Sequence, residues 1–143
     1  MILEFVALGS NDITYAYNLY CETLHSDIEE TFGWDEEFQQ ERFKVEYELN
    51  SLYWIYVEEK RVGLTCYTCN ENSVHTRLLL ITPTCQKVGY GRNAMAKIEE
   101  VAKTLNLPVT LSVFRTNNAA YRFYTSIGYT TVSEGDTHLD LVL

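Results

Sequence analysis

The chain has little that would divide it, carry it through a bilayer or bind it to nucleic acid. Only two prolines and seven glycines occur in 143 residues. They fall mostly at joints, so no linker, repeat or low-complexity segment interrupts the sequence. No apolar run reaches the roughly 18 residues a membrane span needs, so none is expected. The start, Met-Ile-Leu-Glu-Phe, lacks the basic flank and small-residue cleavage site of a signal peptide. These absences predict a soluble, cytoplasmic protein with one domain over residues 1–143. Basic residues are scarce, 11 Lys and Arg against 20 Asp and Glu. Without a basic stripe, nucleic acid is not an expected partner. Cys66-Tyr-Thr-Cys69 has no second C-x-x-C to complete a zinc site. On a strand its two thiols point to opposite faces, so no metal is expected and the thiols read as small buried hydrophobes.

What is present is a core and an uneven charge. Hydrophobic residues make up 46% of the chain, enough to bury a core, and 11 tyrosines supply large contacts with polar tips. Residues 1–60 hold 14 acidic against three basic side chains, a net of −11. Residues 61–143 hold six against eight, a net of +2. The acidic half either attracts a cationic partner or simply keeps the chain soluble.

Periodicity predicts the order β-α-α-β-β-β-α-β-α-β-β. Strands are expected at Ile2–Leu8, Tyr53–Val57, Val62–Cys69, Val74–Ile81, Val109–Phe114, Tyr129–Val132 and Thr137–Leu143. A first helix starts after Asn11 or Asp12 with Ile13, Tyr17, Tyr20 and Leu24 on its stripe, and Ser26–Gly33 reads as an acidic loop. Asp35 caps a second helix running to about Leu49, with Phe38, Val45 and Leu49 on one side. A third carries Ala94, Met95, Ile98, Val101, Ala102 and Leu105. A fourth, capped by Asn117, carries Ala120, Tyr121, Tyr124 and Ile127 and stops at Gly128. The order implies an α/β (α+β) fold: a mixed, mostly antiparallel sheet of six to seven strands flanked by four helices.

The most informative stretch is Gln86-Lys-Val-Gly-Tyr-Gly91, between a strand and a helix start. Gly89 and Gly91 let backbone N–H groups approach an anion. The new helix adds unpaired N–H groups and the positive end of its dipole, which together make a phosphate cradle. It lacks the Gly-Lys-Ser/Thr ending of a nucleotide-binding P-loop.

Gln86-x-x-Gly89-x-Gly91 resembles the acyl-CoA pyrophosphate loop of the GNAT N-acetyltransferase superfamily. Asn117-x-x-Ala120-x-x-x-Tyr124-x-x-x-Gly128-Tyr129 resembles that family's second signature, in the right order and on the right elements. Lys87 stands where members often have glycine. The resemblance implies acetyl-CoA as donor. Backbone groups at Gln86, Lys87, Val88, Gly89, Tyr90, Gly91 and Arg92 would hold its pyrophosphate. Lys87 and Arg92 would add charge, unless they are only a solvated helix start. Leu79 and Ile81 would pair with the pantetheine arm where two parallel strands, Val74–Ile81 and Val109–Phe114, splay apart. Asn117 either contacts that arm or only caps its helix; Ala120 lies beside it.

The resemblance further implies direct attack of a primary amine on the thioester. The Ile81 N–H would receive the oxyanion and Tyr124 would act as general acid, against the plainer reading of a packed tyrosine. The base stays open between His75, His138 and a water chain ending on Asp35, Glu36 or Glu37. The acceptor is expected to be small and cationic, held by Trp34, Asp35 and Glu36, unless Trp34 and Phe38 are core. A non-catalytic acyl-CoA sensor is the alternative, and a homodimer through exposed strands or helix faces stays open.

Overall fold

The computed structural model describes residues 2–143; Met1, the first residue of the expected 1–143 domain, lies outside them. Seven strands form one sheet in the order β1-β2-β3-β4-β5-β7-β6. They are β1 (Leu3–Ala7), β2 (Leu52–Val57), β3 (Lys60–Cys69), β4 (Val74–Ile81), β5 (Val109–Phe114), β6 (Thr130–Glu134) and β7 (His138–Val142). Every pairing is antiparallel except β4 with β5. Four helices flank it: α1 (Ile13–Phe32), α2 (Glu36–Glu46), α3 (Tyr90–Leu105) and α4 (Asn118–Ser126). The fold class and element order are those expected.

The helices depart from expectation in instructive ways. The supposed acidic loop 26–33 is the last part of α1, which ends only where Gly33 takes a φ of 80°. Ile28, 3% exposed, extends the Tyr20–Leu24 stripe by another turn, while Glu29 and Glu30 stay in solvent. Apolar period outweighed charge there, because acidic side chains cost nothing on an exposed helix face. The Asp12 side chain makes no capping bond to α1; it accepts from the N–H of Gly9 and the indole N–H of Trp54.

Asp35 does cap α2, accepting from the N–H of Phe38 at 2.9 Å. The buried side of α2 is not Phe38, Val45 and Leu49, which are exposed, but Gln39 and Phe43. Phe43 is fixed by three tyrosine rings, Tyr17, Tyr20 and Tyr47, at centroid distances of 5.0–5.4 Å. Helix α2 stops at Glu46, short of Leu49. On α3, Leu105 lies outside the buried stripe. Cys69 is exposed, so only Cys66 and Cys85 serve as buried thiols, with Cys21 between.

The core is split by the sheet. On one side Tyr20, Ile28 and Phe43 pack on Leu78 and Leu80. On the other, Met95 and Ile98 of α3 pack on Val74, Val109 and Leu111. Val74 and Leu78 therefore face opposite layers although they stand four positions apart, an even offset that would put them on one face of a regular strand. A β-bulge explains this: Cys66 pairs with Leu78 and Tyr67 with Thr76, leaving Arg77 without a partner on β3.

Candidate active site

The bulge stands where the sheet opens. Strands β4 and β5 pair only over Val74–Thr76 and Val109–Leu111, then part. Beyond that point β4 keeps its bonds to β3, with the Thr82 N–H donating to the Val62 carbonyl at 2.9 Å. In an antiparallel ladder alternate residues turn their N–H and C=O groups the other way. With Leu80 opposite Leu64 and Leu78 opposite Cys66, it is Leu79 and Ile81 that present theirs to the edge β5 has left. The Ile81 carbonyl accepts from the Gln86 side chain at 2.9 Å, tying the following loop back to this edge.

That loop is built for close approach. Lys87 (φ 66°) and Gly89 (φ 97°) both take left-handed conformations, and Gly89 is the N-cap of α3. The first amides of α3 have no intrahelical partner and face the opening with the positive end of a 16-residue helix. A Cβ on Gly89 would meet nothing within 4 Å, so the space beside this cap is open. A Cβ on Gly91 would come within 3.3 Å of the Phe123 ring, which is why α3 and α4 approach closely here.

The opening is a cleft of about 630 Å³. Its walls include Leu79, Ile81, Gln86, Lys87, Gly89, Tyr90, Gly91, Arg92, Asn117, Ala120 and Tyr124, all named from the motifs. Val88 does not line it and is 63% exposed. Asn117 caps α4, its side-chain oxygen accepting from the Ala120 N–H at 3.0 Å, and lines the cleft as well. Sequence reasoning missed the contribution of α1: Thr23, Leu24 and Asp27 close the cleft from above. Asp27 accepts from the Thr116 hydroxyl at 2.7 Å, latching α1 to the β5–α4 turn. It was hidden because it fell in the supposed acidic loop.

A second cleft of about 320 Å³ opens on the α1–α2 side of the sheet. Leu24, Leu79, Leu80, Asn117, Ala120 and Tyr124 line both clefts, so the two meet at the parted strands. Tyr124 is 7% exposed. Burial alone pushes its phenol up, which keeps the proton on at neutral pH.

His75 and His138 line the second cleft. Burial, then the Arg77 charge, pushes the His75 imidazole down, so it is neutral; its Nδ1 lies 2.8 Å from the Thr110 hydroxyl.

Trp34, Asp35 and Glu36 are not brought to either cleft. Trp34 and Asp35 line a separate hollow of about 440 Å³ with Phe38, and Glu36 lines none of the three. Glu36 accepts from the Trp34 indole (2.8 Å), the Gln40 amide (3.1 Å) and the Tyr17 hydroxyl (3.3 Å). Those bonds, the Gln40 one first, hold its carboxyl below the usual range. Trp34 stacks near His25 at 4.2 Å, and Phe38 is exposed rather than core.

The family model of the GNAT acetyltransferases matches residues 14–129. The chain belongs to the GNAT acetyltransferase family. No curated protein sequence matches it. Solved structures share this GNAT fold at low identity. An acetyltransferase of Thermus thermophilus superposes with a TM-score of 0.75 at 17% identity, covering 100% of this chain and 97% of that one. The PaiA N-acetyltransferase of Thermoplasma acidophilum, solved in complex with coenzyme A, gives 0.73 at 16%, covering 99% and 98%. The ribosomal-protein-S18-alanine N-acetyltransferase of Escherichia coli gives 0.71 at 16%, covering 99% and 93%. No helix among the described residues is long and apolar enough to cross a membrane.

Proposed function

We propose that residues 1–143 act as one catalytic domain that transfers an acetyl group from acetyl-CoA to a primary amine. The observation that carries this is the junction of two clefts at Tyr124, beneath the unpaired edge of β4. One cleft has the amide-lined anion cradle a diphosphate needs; the other reaches the same point from the far side of the sheet.

The donor cleft fits the group. Amides at Lys87, Gly89, Tyr90, Gly91 and Arg92, with the α3 dipole, hold the diphosphate. Lys87 and Arg92 form no ion pair among the described residues and are available to add charge. The exposed N–H and C=O groups of Leu79 and Ile81 bond an extended arm as a neighbouring strand would. The Ile81 N–H takes the developing oxyanion. Tyr124, kept protonated by burial, donates to the departing thiolate. His138 and the neutral His75 on one cleft and Asp27 on the other are the candidate proton acceptors.

Release of coenzyme A thiol, measured across a panel of amines, tests the reading. Turnover above the hydrolytic background with at least one primary amine is the expected result. Tight coenzyme A binding with no release from any amine would instead establish a non-catalytic acyl-CoA module, which the absence of a carboxylate on β4 permits.

A further inference from the structure

The charges on the acceptor cleft are not those of the chain around it. Residues 1–60 carry a net −11, yet the carboxylate and guanidinium groups lining this cleft are Arg42, Glu46 and Arg77. Glu46 is already engaged: its carboxylate bonds the Arg77 guanidinium, and its main-chain oxygen accepts from the same group at 3.0 Å. Arg77 also lies 5.4 Å from the Tyr47 ring centroid. That leaves Arg42, which has no carboxylate within ion-pair distance among the described residues.

The fold places Arg42 there. Gln39, Arg42 and Glu46 lie a turn apart on one face of α2, which Phe43 anchors in the core. Arg42 stands at the mouth, where the cleft adjoins the hollow lined by Trp34 and Phe38. Its charge is felt at Tyr20 on the cleft wall, opposing the burial that pushes that phenol up. The carboxylates around it are engaged elsewhere: Asp35, which shares the adjoining hollow, caps α2, Glu46 pairs with Arg77, and Glu36 is tied to Trp34, Gln40 and Tyr17. The remaining wall mixes uncharged polar groups, Gln39, Thr76, Ser112 and Asn117 among them, with an apolar part formed by Leu24, Ile28 and Phe114.

A cleft with a cancelled ion pair and one unanswered guanidinium carries a net +1. A polycationic acceptor meets repulsion there, while a carboxylate finds a planar donor pair matched to its two oxygens. We infer that the acceptor is an amine of amino-acid size whose apolar or aromatic frame carries a carboxylate, with Arg42 holding that carboxylate in the cleft that Tyr124 also lines. This deepens, and rests on, the acetyltransferase reading of the same site.

The test separates the two. Calorimetry, with and without coenzyme A bound, compares 3-phenylpropanoate with 3-phenylpropanamide, which match in shape and differ in charge. The carboxylate is expected to bind about tenfold more tightly, the worth of one charge-assisted hydrogen bond. Arg42→Gln is expected to erase the difference and Arg42→Lys to restore part of it. Arg42 is exposed, so neither change threatens folding. Thiol release then compares phenylalanine with phenylalaninamide and with a polyamine, and kcat/KM should favour the free acid. Equal binding of the calorimetric pair, no binding of either, or a preference that survives Arg42→Gln overturns the inference. So does turnover that favours the polyamine. Failure to bind coenzyme A at all would instead sink the acetyltransferase reading and leave the carboxylate result standing by itself.

Discussion

Replacing Tyr124 by Phe removes a single oxygen from the point where the two clefts meet. The ring packs edge-on against Phe123 and Tyr129, at centroid distances of 4.9 and 5.6 Å, and Phe fills the same space. Only burial raises the phenol's pKa; no hydrogen-bond partner contributes. A hydroxyl without a protein partner adds little to folding, so stability should hold or rise by up to about 1 kcal/mol. The amides at the start of α3 are untouched, and donor affinity should stay within about twofold of the original. Turnover is different. General acid catalysis contributes about 10²–10⁴-fold, equivalent to roughly 3–5 kcal/mol of transition-state stabilisation. The assay has three arms: thermal melting, coenzyme A calorimetry, and thiol release at saturating donor with the best amine of the panel. A fall in kcat with melting and donor affinity preserved is the expected pattern. A kcat within about threefold of the original, or a loss of donor affinity that matches the loss of kcat, refutes the assignment of Tyr124 as acid.

Three further outcomes are expected. Gly89→Val should abolish coenzyme A binding by calorimetry, since it forces a branched side chain into a left-handed position at the very cap of α3 and so displaces the first amides. Gly89→Asn, which tolerates that conformation, should keep the fold while weakening binding; unchanged affinity in both variants would remove the cradle. Phe43→Ala should cost about 3–5 kcal/mol in urea unfolding, whereas Phe38→Ala should stay within about 0.5 kcal/mol; the reverse order would mean that α2 faces the other way. His75 is depressed in the folded state, so the unfolded chain binds its proton first. Stability should therefore fall as pH drops below the unfolded value of about 6.5 and level off once the folded value is passed. His75→Gln should flatten that slope, and an unchanged slope would show that some other group causes it.

The elements that carry the proposed donor side were legible because their signals are local. A glycine at a helix start, an asparagine three residues before the amide it caps, and a stripe of helical period each declare themselves within a few positions. Gly89, Asn117 and the α3 stripe from Ala94 to Ala102 accordingly stand where the pattern put them. The acceptor side was not legible, because it depends on which faces meet across the sheet. Val74–Ile81 reads as an unbroken strand, and nothing in His-Thr-Arg-Leu announces that Arg77 is bulged out of the β3 ladder. The bulge turns the strand over, so that Leu78 and Leu80 pack beneath α1 and α2 while Arg77 reaches Glu46.

The charge of a segment and the charge of a cleft differ for a related reason. A net of −11 over the first 60 residues describes a surface, whereas an acceptor responds to the few groups that line its cleft. Helices sort their charges by face. Glu29 and Glu30 of α1, like Glu37 and Glu41 of α2, are exposed and outside the cleft, while Arg42, the residue after Glu41, lines it. Segment charge is a sum over all faces and loses the distinction between the face that lines a cleft and the face that meets solvent. The sign to be read is that of the α2 face carrying Gln39, Arg42 and Glu46, and that face became known only once Phe43, rather than Phe38, was seen to anchor the helix.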